Sequence, residues 1–76
     1  MPLVQVKVIE GVFSAAQTGE MIHKLTETMV AIAGENLRPV TWVIVEEVAS
    51  GEWGIGGNPL TTADVRELAA AHSERA

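Results

Sequence analysis

Two β-branched runs on either side of a single amphipathic stretch leave this chain few ways to fold. Residues 3–9, LVQVKVI, alternate with period two: Val4, Val6 and Val8 share one face, and Leu3, Gln5, Lys7 and Ile9 share the other. The first face is wholly apolar and is expected to meet a helix. The second mixes polar and apolar residues, which suits a subunit interface or a wet cleft. Glu10-Gly11 ends the run with a turn signal. Ser14-Ala15-Ala16-Gln17 then reads as a capping box, in which the serine oxygen covers a free amide and the glutamine reaches back. Beyond it Met21, Ile22, Leu25, Met29, Ile32 and Ala33 recur at three- and four-residue spacing. That pattern predicts a helix over 15–33, ended by Gly34, with Glu20 and Lys24 paired one turn apart on its outer side. Residues 36–39, NLRP, connect, and Pro39 is expected to hold Arg38 extended. Residues 40–48, VTWVIVEEV, form the second predicted strand, with Val43 and Val45 on one face. A strand, a crossover helix and a strand make a right-handed βαβ unit with a parallel pair.

A two-stranded sheet is not viable by itself, so the edges call for another chain. Size points the same way. A chain of 76 residues buries only about 60% of its unfolded surface. It has no cysteine to staple it, yet 47% of its residues are hydrophobic. Subunits that complete one another's core resolve that tension. A net charge of −5 argues against nucleic acid as a partner. His23 and His72 lack metal-ligand spacing, so no metal is expected, and His23 reads as a residue at the boundary of the helix's apolar face. No apolar run approaches the roughly 20 residues that span a bilayer, and no basic-then-apolar leader is evident. A soluble, cytoplasmic homo-oligomer is the expectation.

The third segment, SGEWGIGG at 50–57, cannot be a helix with four glycines and suggests a tight hairpin or a close backbone approach. It lacks the lysine and the spacing of a phosphate-binding loop. Asn58-Pro59 is expected to break the chain. A last helix is predicted over 62–73, with Val65, Leu68, Ala69 and His72 on one side. It is expected to pack on a neighbouring subunit or to fray.

The chemistry-bearing feature is Pro2. Met1 precedes a small residue, so removal of the initiator is expected to leave the proline nitrogen as a free secondary amine. Inside a chain that atom is an amide with no proton; at a terminus it titrates like other α-amino groups. The apolar strand that follows would carry it into the protein, where burial lowers an amine's pKa and yields a neutral base.

Taken together, these residues resemble the tautomerase superfamily whose type member is 4-oxalocrotonate tautomerase. The resemblance is carried by Met-Pro at the start, Glu10-Gly11 after the first strand, the helix, the second strand, and EVASGEWGIGG from Glu47 to Gly57. It covers residues 1–58. The implied fold class is α+β: a β-α-β subunit with a C-terminal hairpin and an extra helix. Dimers of it would form a four-stranded sheet, commonly as a trimer of dimers. The chain is then one domain over 1–76, with a core at 2–58 and an extension at 59–76. The implied activity is cofactor-independent keto–enol proton transfer on a small molecule, with Pro2 as general base. Such a reaction needs a base of moderate pKa and groups that stabilise the developing enolate. The resemblance places Trp53 at the aromatic wall of the pocket; a plain hydrophobic core contact is the alternative. Lys7 and Ile9 share the strand face that the pocket would use, and Lys7 either approaches an anion or stays solvated.

The departures bear on the substrate. The family's well-studied members carry an arginine just after the Glu-Gly pair and another in the second strand, which bind the ends of a dicarboxylate. Here the first position holds Val12. The second holds Trp42 when aligned back from Glu47, or Val40 when aligned forward from Gly11. Neither supplies the planar bidentate fork of a guanidinium. Arg38 is the nearest cation in sequence, and it either reaches the pocket or sits on the surface. A pocket containing Trp42 would prefer a bulky or aromatic, less charged keto–enol substrate. Two other functions fit the same residues. One keeps Pro2 protonated as a general acid for hydration, dehalogenation or decarboxylation. The other is a non-catalytic homologue that binds a small ligand. The mass of the intact mature chain is expected to lack Met1; a retained methionine would leave Pro2 without an amine and remove both catalytic readings.

Overall fold

The computed structural model describes residues 1–75, with side chains through Ala71. Its elements run β1 (Leu3–Ile9), α1 (Ala15–Ala33), a 3-10 helix (Glu35–Val40), β2 (Trp42–Val48), β3 (Trp53–Ile55), β4 (Asn58–Leu60) and α2 (Thr62–Arg75). β1 pairs with β2, and β3 with β4, in two separate two-stranded sheets. The Trp42 N–H donates to the Pro2 carbonyl at 2.9 Å, and the Glu10 N–H donates to the Val48 carbonyl at 2.8 Å. Start meets start and end meets end, so β1 and β2 run parallel, as a crossover through α1 requires. The chain divides into two compact units: Met1–Lys7 with Phe13–Glu46, and Val8–Val12 with the chain from Glu47 onward.

In the first unit, β1 alternates as the sequence predicts. Leu3, Gln5 and Lys7 are exposed, while Val4 and Val6 are half-buried. α1 starts where its cap stands. Ser14 Oγ accepts from the Gln17 N–H at 3.1 Å, and Gln17 Oε1 accepts from the Ser14 N–H at 2.9 Å. It ends at Gly34, whose φ of 103° suits a residue without a side chain and whose N–H reaches the Val30 carbonyl at 2.8 Å. Met21, Leu25 and Met29 are half-buried, but the buried residue of this helix is Val30, at 6% exposure. Ile32 is in phase with the apolar face yet 78% exposed, and its neighbours Ala31 and Ala33, beyond the buried Val30, are exposed too. Val6, Met21 and Leu25 line an apolar groove of about 530 Å³ together with Phe13, and Gln17, Glu20 and Lys24 stand beside them. Glu20 and Lys24 pair at 2.6 Å, which lowers the pKa of the carboxyl and raises that of the amine.

The connector differs from expectation. Residues 35–40 form a 3-10 helix with Pro39 inside it, instead of holding Arg38 extended, and β2 begins at Trp42 instead of Val40. The hydrogen bonds bypass the proline: the Leu37 N–H donates to the Gly34 carbonyl at 3.1 Å and the Thr41 N–H to the Arg38 carbonyl at 3.2 Å. Neither needs the proton Pro39 lacks. Side chains hold the turn as well. Arg38 Nε reaches Glu35 Oε1 at 2.7 Å, while Nη1 and Nη2 reach the two oxygens of Glu27 at 2.5 and 3.0 Å. The connector is thereby tied to α1 through a forked ion pair.

The second unit holds the turn after β1, the hairpin and α2. Gly56 and Gly57 have φ of 57° and 86°, which are the two left-handed positions of a two-residue hairpin turn. Asn58-Pro59 does not break the chain: it continues as β4, with Gly54 opposite Pro59 and Ile55 opposite Asn58. Cross-strand pairs alternate between bonded and non-bonded, and Pro59 falls one step past the bonded pair that flanks the turn. Its missing proton therefore costs the ladder nothing. α2 carries its own cap, with the Thr61 N–H donating to Asp64 Oδ2 at 2.9 Å and the Asp64 N–H to Thr61 Oγ1 at 3.2 Å. The backbone bond from Thr61 holds the Asp64 carboxyl below its ordinary range. α2 docks on its own chain. Thr62 Oγ1 donates to the Glu10 carbonyl at 2.6 Å, and the Arg66 guanidinium donates to the Gly11 carbonyl at 3.1 and 2.5 Å. Val65 is half-buried and Leu68 is 64% exposed; the side chain of His72 lies outside the described residues.

Two measurements check this account. Ser14→Ala is expected to cost about 1 kcal/mol of stability in denaturant titration, the usual size of a lost helix cap. The second concerns pH. Arg38 lowers the pKa of Glu27 and Glu35 through its hydrogen bonds, so their contribution is fully present above the ordinary carboxylate pKa of 4.5. It is lost as pH falls through the depressed folded-state values. Thermal melts taken between about pH 6 and about pH 3 should therefore fall less steeply for Arg38→Ala than for the wild type.

Candidate active site

The amino end of the first unit brings Pro2 and Trp42 together. Pro2 is half-buried, and its carbonyl accepts the N–H of Trp42, the first residue of β2. The alternation of β1 leaves Leu3 exposed at 53%, and Trp42 and Val40 remain exposed at 52% and 37%. The neighbours of Pro2 along the chain and across the strand pair, Leu3 and Trp42, are thus apolar and exposed. Met1, ahead of Pro2, is 77% exposed.

Arg38, the cation expected nearest the site, is not free. Beyond the bonds to Glu27 and Glu35 Oε1, its Nη2 also donates to Glu35 Oε2 at 3.2 Å. Both carboxylates raise its pKa further above the usual guanidinium range, Glu27 the more strongly. Lys7 lies on the exposed face of β1 and forms no ion pair among the described residues.

The second unit carries the other two expected residues. Ile9 ends β1 and is buried at 5%, although strict alternation would turn it outward with Lys7. Trp53 opens β3, half-buried, across from Leu60. Val12, half-buried, follows the turn where Arg66 meets the Gly11 carbonyl. Sequence reasoning passed over Glu27 as a partner for Arg38 and passed over the Thr62–Arg66 contact with the Glu10-Gly11 turn. Glu27 lies eleven residues from Arg38 across a helix end, and Arg66 lies fifty-five from Gly11, so no periodicity links either pair. Among the described residues no cluster of three or more His, Cys, Asp or Glu could hold a metal ion, and no helix is long and apolar enough to cross a membrane.

Comparison with known proteins places these features in context. The family model described as Tautomerase enzyme matches residues 2–63. A protein of Dickeya dadantii (strain 3937) named Probable tautomerase K2 is 34% identical over 61 residues, covering 80% of this chain and 90% of that protein. Probable tautomerase RSp0893 of Ralstonia nicotianae (strain ATCC BAA-1114 / GMI1000) is 40% identical over 63 residues, covering 83% of this chain and 87% of its own length. With Pro2, its parallel βαβ pair and its glycine hairpin falling inside the matched region, the chain belongs to the tautomerase family.

Proposed function

We propose that this tautomerase uses the amine of Pro2, unmasked by removal of Met1, as the general base for keto–enol proton transfer without a cofactor. The observation that carries the reading is the seat of Pro2: a half-buried proline whose carbonyl is fixed by the Trp42 N–H among apolar residues. A secondary amine there is held in place and loses part of its hydration, which supports a neutral base. In the proposed reaction the nitrogen takes a proton from an enol oxygen or an acidic carbon and returns it to the carbon that completes the isomer. One group accepting and then giving back a single proton leaves the enzyme unchanged. Trp42 and Lys7, which share the first unit with Pro2, are proposed as substrate-facing residues.

The substrate is proposed to be a bulky or aromatic keto–enol compound, not a dicarboxylate, because Val12 and Trp42 offer no fork for a carboxylate. The working species is proposed to be a cytoplasmic homo-oligomer, a trimer of dimers or a dimer. The composition supports it: Ile9 and Val30 are the only buried hydrophobic side chains among the described residues of a chain that is 47% hydrophobic.

Turnover should fall on the order of 10²–10³-fold in Pro2→Ala, the range of a lost general base. A phenyl-substituted enol should be turned over faster than a dicarboxylate dienol by the wild type. A pH–rate profile that requires a protonated amine would instead favour the acid chemistry of hydration, dehalogenation or decarboxylation. Binding without turnover of any enol would favour a ligand-binding homologue.

A further inference from the structure

Arg38 has five N–H donors and spends four hydrogen bonds on two carboxylates of its own chain. A substrate carboxylate taken in the forked manner needs two parallel N–H groups, so it would have to displace Glu27 or Glu35. The charges add to the difficulty: one guanidinium between two carboxylates leaves the cluster net negative, and nearby His23 is the other titratable group acting on Glu27. What the clamp does control is the path into β2. The Arg38 carbonyl accepts the Thr41 N–H at 3.2 Å, and the Leu37 carbonyl accepts the Thr41 hydroxyl at 2.8 Å. The next N–H along the chain belongs to Trp42, and it holds the Pro2 carbonyl at 2.9 Å.

We propose that Arg38 is a positioning residue for the amino-terminal proline: held by Glu27 and Glu35, it fixes the 3-10 helix that delivers Trp42 to the Pro2 carbonyl, and it does not receive a substrate carboxylate. Of the cations in the first unit it is then withdrawn from recognition, so the substrate class is one whose reacting end carries no carboxylate for Arg38 to bind. The catalytic half of this inference rests on the reading of Pro2 as the base. Its structural half does not.

Glu27→Gln is the decisive variant, because the two roles of Arg38 give it opposite signs. It keeps the shape of the side chain and releases one grip on the guanidinium. Under the positioning role, kcat/KM falls about tenfold for a neutral phenyl enol and for a carboxylate-bearing enol alike, as a modest misplacement of a reacting group requires. The Trp42 amide, followed by hydrogen exchange, exchanges about tenfold faster as its bond to Pro2 opens more often. Arg38→Lys, which keeps the charge but not the fork, shows the same joint loss. Improved turnover of the carboxylate-bearing enol alone in Glu27→Gln would overturn the proposal, since a freed Arg38 would then be acting as a receptor. Unchanged Trp42 exchange in both variants would overturn it as well. Wild-type turnover in Pro2→Ala would remove the base and, with it, the catalytic half, while the exchange measurement still decides whether the clamp holds Trp42.

Discussion

The contact on which the amino end of this protein depends is a single backbone hydrogen bond, from the N–H of Trp42 to the carbonyl of Pro2. Chain termini ordinarily fray unless something ties them down. Here the tie is the first rung of a parallel ladder, and it makes the second residue of the chain part of a sheet. A parallel pair cannot be closed by a tight turn, so α1 and its connector have to carry the chain back to the start of β2. The accuracy with which that return is made sets where Pro2 lies. The capping box at Ser14, the stop at Gly34 and the clamp on Arg38 are successive controls on one path.

The other governing constraint is scarcity of interior. Ile9 and Val30 are buried, while Leu3, Phe13, Ile32, Trp42, Ile55 and Leu68 all keep two fifths or more of their surface exposed. Burial of apolar surface is the main favourable term in folding, and this chain leaves much of its own unused. The groove formed by Val6, Phe13, Met21 and Leu25 belongs to the same account. The proposed homo-oligomer explains why natural composition would tolerate such a surface, since apolar residues exposed on one subunit become interior in an assembly.

Much of this architecture was legible before any coordinates. The period-two alternation of LVQVKVI gave β1 to the residue, and the S-x-x-Q cap followed by three- and four-residue spacing gave α1 at both ends. The four glycines of SGEWGIGG suggested a tight hairpin or a close backbone approach, and the hairpin is what forms. Errors fell where proline was read as a local rule. Both Pro39 and Pro59 sit inside regular elements, because in each case the hydrogen-bond pattern asks nothing of the missing proton. The candidate site could be read as residue types and not as partnerships. Pro2 and Trp42 could be singled out from the chain, but the capture of Arg38 by Glu27 depends on how α1 meets the connector, which no spacing in the sequence encodes.

Gly11 shows how far apart such dependencies can lie. It adopts a φ of +77°, and a methyl group built on its α-carbon would stand 3.1 Å from the Thr62 methyl and 3.3 Å from the Arg66 guanidinium. The bareness of this one residue thus serves the bend that ends β1 and also the seat of a helix two thirds of the chain later. Were α2 absent, the carbonyl oxygens of Glu10 and Gly11 would exchange Thr62 and Arg66 for water, and the bend would lose its outer brace. The C-terminal helix is in this sense a splint for the opening strand, so shortening the chain at one end loosens it near the other.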